Sequence, residues 1–153
     1  VVRVLDIMRI RLAQAEDLDA AVRLLAAQFG EHDIALDAPG LLEGVRGLTF
    51  DAGRGAVLIA SDPEPVGVAV LAYTWTLEHG GLVAWLDELF VVPQHRGRGT
   101  GRALLRQAVQ VARENGCRAV ELEVDLEHER AERLYQREGF AVLPRRRWAK
   151  RLT

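Results

Sequence analysis

Absences narrow this chain first. It carries one cysteine, Cys117, in 153 residues, so no internal disulfide can form, which fits a reducing compartment. No apolar run approaches the ~20 residues that a membrane-spanning helix needs, and no signal-peptide pattern is visible; the cytoplasm is the expected location. A basic excess is missing too. The net charge is −2, whereas a general nucleic-acid binder normally carries a positive surplus. His32, His79 and His95, with scattered acids, do not stand at metal-ligand spacing, so no metal is expected. Repeats, low-complexity stretches and linkers are absent as well. What is present is an ordinary globular composition, 49% hydrophobic and 27% charged, long enough to bury a single core. The stretch Met8-Arg-Ile-Arg-Leu12 reads as a natural start. Residues 1–7 are therefore expected to be an extension, and 8–153 a single domain.

Hydrophobic periodicity orders the elements. Ile7–Leu12 alternates apolar and basic residues as a strand does. Ala15–Gly30 reads as a helix with Leu18, Val22, Leu25 and Phe29 on one face, and Pro39–Phe50 as a second with Leu42, Val45 and Leu48 inward. Gly55–Ser61 and Val66–Thr76 are strands joined by the turn Asp62-Pro-Glu-Pro65. Trp85–Val92 is a fourth strand, Ala119–Asp125 a fifth, and Glu127–Glu138 a last helix ended by Gly139. Phe140–Val142 and Arg147–Leu152 read as two closing strands. A strand-helix-strand unit inside a mostly antiparallel run predicts an α/β fold: a mixed sheet with helices on both faces.

The most informative segment follows the fourth strand: Gln94-His-Arg-Gly97-Arg-Gly99-Thr-Gly101-Arg102. Three glycines at every second position strip side chains from a turn. Gly101, Leu104, Leu105, Ala108, Val111 and Ala112 then trace an amphipathic helix. A glycine turn opening a helix offers unpaired N–H donors and the positive end of the helix dipole, a natural seat for phosphate. Arg96, Arg98 and Arg102 add charge. The turn ends Gly-Thr-Gly-Arg, not the Gly-Lys-Ser/Thr of a P-loop. Arg102 stands where a dinucleotide fingerprint needs its third glycine.

Leu86-Asp-Glu-Leu-Phe-Val-Val-Pro93, then Gln94-x-x-Gly97-x-Gly99, then Arg130-Ala131-x-x-Leu134-Tyr135-x-x-x-Gly139-Phe140, resembles the GNAT superfamily of acyl-CoA-dependent N-acetyltransferases. The resemblance covers most of the chain. It implies that strands four and five splay apart beneath acetyl-CoA, and that the main chain of Phe90, Val91 and Val92 pairs with the pantetheine arm as an added strand does. It implies that Gln94 shapes the turn and that N–H groups from Arg96 through Gly97, Arg98, Gly99, Thr100 and Gly101 to Arg102 hold the pyrophosphate. Ala131 belongs to the second signature. Tyr135 on the same helix would protonate the departing thiolate. One departure stands out: His128 occupies a position where family members often carry an asparagine that bonds the cofactor arm.

The implied reaction moves an acetyl group directly from acetyl-CoA to a primary amine of a small molecule or peptide. A primary amine is mostly protonated at pH 7, so a base is needed. Asp87 and Glu88 on the fourth strand are the candidates, with Glu88 favoured. The Val91 amide is the expected oxyanion donor. Glu31, His32, Asp33, Asp37, Tyr73, Trp75, Glu78 and His79 lie in segments that wall the acceptor in this family, and such residues suit a cationic amine. Dimers are common in the family, so a homodimer is expected. The basic end, Arg145–Arg147 with Lys150 and Arg151, reads as a solubilised sheet edge rather than a nucleic-acid surface. The alternative function is a non-catalytic acyl-CoA-binding or regulatory module, which Tyr135 and the strand-four carboxylates argue against.

Overall fold

A computed structural model describes residues 8–153. The expected extension at residues 1–7, and the first residue of the expected opening strand, lie outside the described residues. The chain divides into two compact units, one ending at Leu122 and the other running Glu123–Thr153.

The first unit is built on a five-stranded sheet. Strands β1 (Arg9–Leu12), β2 (Gly55–Ser61), β3 (Pro65–Thr76), β4 (Gly81–Val91) and β5 (Ala119–Glu121) lie side by side in chain order. All neighbours are antiparallel except β4 and β5, which are parallel. Helices α1 (Leu18–Glu31) and α2 (Ala38–Phe50) precede β2, and α3 (Thr100–Glu114) makes the crossover from β4 to β5. The β2 run Ala56-Val-Leu-Ile-Ala60 is apolar throughout and wholly buried, as a strand covered on both faces must be. Leu24 and Leu25 of α1 and Val45 of α2 join Val57, Ile59, Val68, Val70 and Phe90 in one cluster.

Helix α3 buries Leu104, Leu105, Ala108, Val111 and Ala112; full burial of a leucine contributes roughly 1.5–3 kcal/mol. Its close approach depends on Gly67, where a Cβ would stand 2.8 Å from Leu104 Cδ1 and 3.1 Å from the Phe90 carbonyl oxygen.

Local chemistry explains where the elements begin. Asp37 caps α2 by accepting the Gly40 N–H at 3.1 Å, so the helix opens at Ala38, one residue before the expected Pro39. Ala15–Asp17 forms a single 3-10 turn before α1. The Asp17 carboxylate is buried and accepts two hydrogen bonds from the Arg11 guanidinium, at 2.6 and 2.9 Å, and one from the Gln14 N–H at 2.7 Å. It thereby ties β1 to the start of α1. Strand β4 begins at Gly81 rather than the expected Trp85, because Gly81–Ala84 extends the ladder against Tyr73–Thr76.

In the second unit α4 spans Glu129–Arg137. Gly139, at φ +90°, closes it, and the Phe140 N–H reaches back to the Tyr135 carbonyl at 3.0 Å. The two closing strands expected at Phe140–Val142 and Arg147–Leu152 are not formed. Pro144 lacks a donor and stands at a tight turn in which the Arg145 N–H bonds the Leu143 carbonyl at 2.8 Å. Three consecutive like charges, Arg145–Arg147, follow it.

Hydrogen bonding to Arg11 holds the Asp17 carboxyl below its ordinary value of 3.8, against the opposing effect of burial. A depressed carboxyl stabilises the fold above the unfolded value and ceases to do so as pH falls through the lowered folded value. Asp17→Asn is expected to lower the unfolding free energy at pH 7 by about 1–3 kcal/mol. It should also flatten the acid limb of stability below about pH 4. Urea unfolding across that pH range checks both.

Candidate active site

The site is built on an irregularity in β4. Val70 pairs with Glu88 and Leu71 with Leu86, so Asp87 is an extra residue, a β-bulge. A bulge exchanges the direction in which the backbone groups beyond it point. Before the bulge, the Leu82 carbonyl accepts from the Arg118 N–H at 2.8 Å; by alternation the even-numbered residues there face β5. After it, the Val92 N–H bonds the Val66 carbonyl at 2.9 Å, so Glu88, Phe90 and Val92 turn toward β3. Leu89 and Val91 turn to the other side. On that side β5 pairs only with Val83–Trp85, and among the described residues no strand continues the ladder. The backbone groups of Leu89 and Val91 thus face an edge that β5 has left.

This geometry redistributes the residues expected to meet an acyl-CoA arm. Phe90 and Val92 face β3 rather than the open edge, Val91 faces the edge, and Leu89 joins it. Leu89 was not among the expected residues, because its direction depends on the bulge, which alternation in the sequence does not reveal. The same exchange sorts side chains. Phe90 packs with α1 and α2, so Glu88, two residues away, lies on the α1–α2 side with Trp85. Asp87 is exposed and accepts the Trp85 Nε1–H at 3.2 Å.

The turn follows directly. After the 3-10 segment Pro93–His95, Gly97 at φ +77° and Gly99 at φ +82° occupy the left-handed region. Alternating left- and right-handed residues converge successive N–H groups on one point. Gly99 is the N-cap of α3 and supplies no side-chain cap, so the first-turn amides of Thr100 and Gly101 point out of the start of the helix, where its dipole is positive. Thr100 is buried beneath the turn, while Gln94, Arg98 and Arg102 are exposed. Arg96 is committed elsewhere. Its Nε–H bonds the Val91 carbonyl at 2.8 Å, a terminal nitrogen donates to both Glu31 oxygens at 2.9 Å, and the guanidinium lies 5.4 Å from the centre of the Phe90 ring.

In the second unit His128 is the N-cap of α4, its Nδ1 accepting the Ala131 N–H at 3.3 Å. A neutral imidazole accepting at Nδ1 carries its proton on Nε2. Tyr135 stacks edge-on against Phe140, ring centres 5.7 Å apart at 67°, which fixes the phenol's direction.

Residues of the expected acceptor wall have partners of their own. Glu31 pairs with Arg96, and His79 Nε2 lies 2.7 Å from Glu121. Glu78, His79 and Glu121 present ligand atoms within 4.8 Å of one another, a grouping made by the fold and invisible in the spacing. The Tyr73 hydroxyl is buried without a hydrogen-bond partner; burial, and then the nearby Cys117, push its pKa up, and burial pushes the Cys117 thiol up as well. Trp75 is exposed at the end of β3.

Residues 18–140 match the model of the acetyltransferase (GNAT) family. The chain belongs to the GNAT acetyltransferase family. A GNAT acetyltransferase takes acetyl-CoA as cosubstrate and moves the acetyl group to an amine. Among relatives, the chain is similar to the aminoalkylphosphonate N-acetyltransferase of Salmonella typhimurium, 28% identical over 137 residues covering 90% of this chain and 87% of that one. Among solved structures it is similar to an integron cassette protein from the mobile metagenome of Cole Harbour Salt Marsh. That match has a TM-score of 0.84 at 28% identity over 94% of this chain and 90% of the other. It shares the fold of an aminoglycoside N-acetyltransferase in complex with CoA, with a TM-score of 0.81 at 20% identity and 96% coverage of each chain. No helix among the described residues of this GNAT acetyltransferase is long and apolar enough to cross a membrane.

The left-handed Gly99 makes the turn testable. A Cβ at Gly99 meets nothing within 4 Å, so Gly99→Ala imposes conformational strain of about 1–2 kcal/mol without a clash. Relief of that strain should rotate the first amides of α3 away from a common point. Acetyl-CoA affinity measured by titration calorimetry is expected to fall about tenfold, equivalent to ~1.4 kcal/mol, with the far-ultraviolet spectrum unchanged.

Proposed function

We propose that this enzyme transfers acetyl directly from acetyl-CoA to a primary amine of a small molecule or peptide, with the pantetheine arm laid as an added strand on the edge of β4 and the pyrophosphate on the turn Arg96–Arg102. The observation that carries this reading is that the Leu89 and Val91 backbone groups turn away from β3 beyond the end of β5, immediately before a helix that opens without a side-chain cap. The arm enters from the turn. Val91 is therefore nearer the pyrophosphate, and Leu89, two residues and ~6.7 Å further along, nearer the thioester. We assign Val91 to the arm's amides. Leu89 N–H takes the oxyanion role first expected of Val91.

The chemistry then uses few groups. Glu88, on the α1–α2 side of β4, removes the amine proton directly or through water, and Asp87 is the alternative base. The neutral amine attacks the thioester carbon, the oxyanion meets the Leu89 amide, and Tyr135 protonates the departing thiolate. A phenol with an ordinary pKa near 10 can donate as a thiolate with an ordinary pKa near 8.5 develops. No metal takes part in these steps. His128 Nε2–H would replace the amide donor of the usual asparagine toward the cofactor arm. Gln94 shapes the turn, Arg98 and Arg102 meet phosphate charge, and Ala131 is carried over with the second signature as a cofactor-binding residue.

A cationic acceptor is favoured by Asp87 and Glu88 beside Trp85, which combine carboxylates with an aromatic face. Residues 8–153 are proposed as one acetyltransferase domain, since the family match crosses the boundary at Leu122. A cytoplasmic location is supported by the single cysteine, and a homodimer by the family resemblance.

Release of CoA thiol across a panel of amines and peptides tests the function. Tyr135→Phe is expected to cut turnover by ~10²-fold with acetyl-CoA binding retained. Near-normal turnover of that variant would remove Tyr135 from the chemistry. Wild-type binding of acetyl-CoA with no thiol release on any amine would favour the non-catalytic module instead.

A further inference from the structure

Arg96 and Glu31 join two parts of the molecule that the chemistry must bring together. Arg96 precedes Gly97 of the turn, and its Nε–H holds the Val91 carbonyl at 2.8 Å. Val91 is one of the two residues facing the open edge, so Arg96 occupies one of that edge's acceptors and leaves the Val91 N–H. The far end of the same guanidinium is held by Glu31 at 2.9 Å to each oxygen, 65 residues away in the chain. Glu31 is the last residue of α1 and begins the segment that leads to α2. The Phe90 ring lies beneath the guanidinium at 5.4 Å, which keeps its plane in one orientation. Both side chains remain more than a third exposed, at 36% and 39%, so the pair contributes little to global stability. Its geometry is nevertheless specific. A single planar fork fixes a backbone carbonyl of the cofactor edge, the first residue of the turn and the end of a helix.

We propose that Glu31 and Arg96 are positioning residues that couple acyl-CoA binding at the β4 edge to order in the α1–α2 segment, residues 32–37. The inference rests on the acetyl-CoA reading above and names a coupling within that site. Neither residue touches the reacting atoms. Arg96 holds the Val91 carbonyl out of the added strand's path, so that an arm can lie on the edge in only one register. Glu31 holds Arg96 in that pose. An arm that fixes Val91 reinforces the fork, and the fork restrains the end of α1. By linkage, order in the α1–α2 segment strengthens acyl-CoA binding to the same degree. Helices α1 and α2, which the segment joins, pack on the face to which Glu88 and Trp85 belong, so an acceptor seated there would meet a wall already set by the bound cosubstrate.

Amide hydrogen exchange with and without acetyl-CoA, combined with calorimetric Kd values, tests this on the whole chain. In the wild type, acetyl-CoA is expected to slow exchange in residues 31–37 by about threefold or more. In Glu31→Gln that slowing should disappear and the Kd for acetyl-CoA rise about fivefold, with Tm within about 2 °C. Arg96→Lys, which keeps the charge but loses the fork, should behave the same way, and the double variant should bind no more weakly than Arg96→Lys alone. Unchanged Kd and retained slowing in Glu31→Gln would overturn the coupling. A lowered Tm with unchanged Kd would overturn it equally, by reducing the pair to a structural strut. Failure of the wild type to bind acetyl-CoA would be a separate result, overturning the acyl-CoA reading and the coupling together.

Discussion

The extra residue in β4 is the constraint on which the rest of this structure depends. A regular strand would have kept Leu82, Ala84, Leu86 and the even-numbered positions beyond them facing β5. Asp87 breaks that sequence. The strand therefore presents one set of backbone groups to β5 and, after β5 has ended, a different set to the space it vacates. The same step turns Glu88 and Phe90 toward α1 and α2 and Val91 toward α3, where its Cγ2 lies 3.8 Å from a Cβ built on Gly101. Glu88, the Leu89–Val91 edge and the glycine turn, to which the proposed function assigns base, cofactor arm and pyrophosphate, thus follow one local insertion into an otherwise regular ladder.

The core makes that insertion affordable. β2 and the centre of β3 are apolar and buried on both faces, and α3 is drawn onto β3 and β4 at Gly67, where no side chain separates helix from sheet. With both faces covered, β4 can depart from regular pairing at Asp87 without loosening the centre. Bulges recur where strands must stop pairing or redirect a side chain. This one does both. The turn that follows needs two left-handed residues in three, and glycine supplies both. The start of α3 is the complement of that choice: a serine or aspartate at Gly99 would satisfy a first-turn amide from its side chain, and glycine supplies no such cap.

Much of this was legible in the sequence, and the boundary of legibility is physical. The strands at Gly55–Ser61 and Val66–Thr76 and the helix after Gly99 were readable because each is long, strongly patterned and closed by Gly, Pro or an acidic cap. The turn was readable because glycines at every second position serve few other purposes. The bulge was not, since Leu-Asp-Glu-Leu reads equally well with or without an extra residue; for that reason Leu89 was passed over and Phe90 and Val92 were expected at the open edge. The commitment of Arg96 to Glu31 was hidden by 65 intervening residues. Likewise the pairing of His79 with Glu121 is a product of the parallel β4–β5 contact. The closing strands failed for a different reason: Pro144 and the arginine run that follows it oppose pairing at that end.

The central claim is that the backbone of Leu89 and Val91, and not that of Phe90 and Val92, receives the acyl-CoA arm. Residue-resolved amide exchange by nuclear magnetic resonance, with and without acetyl-CoA, tests it most directly. The account predicts that saturating acetyl-CoA slows exchange at the Leu89 and Val91 amides by about tenfold or more while Phe90 and Val92, already bonded to β3, barely change. Binding of acetyl-CoA with Leu89 and Val91 unaffected would contradict it.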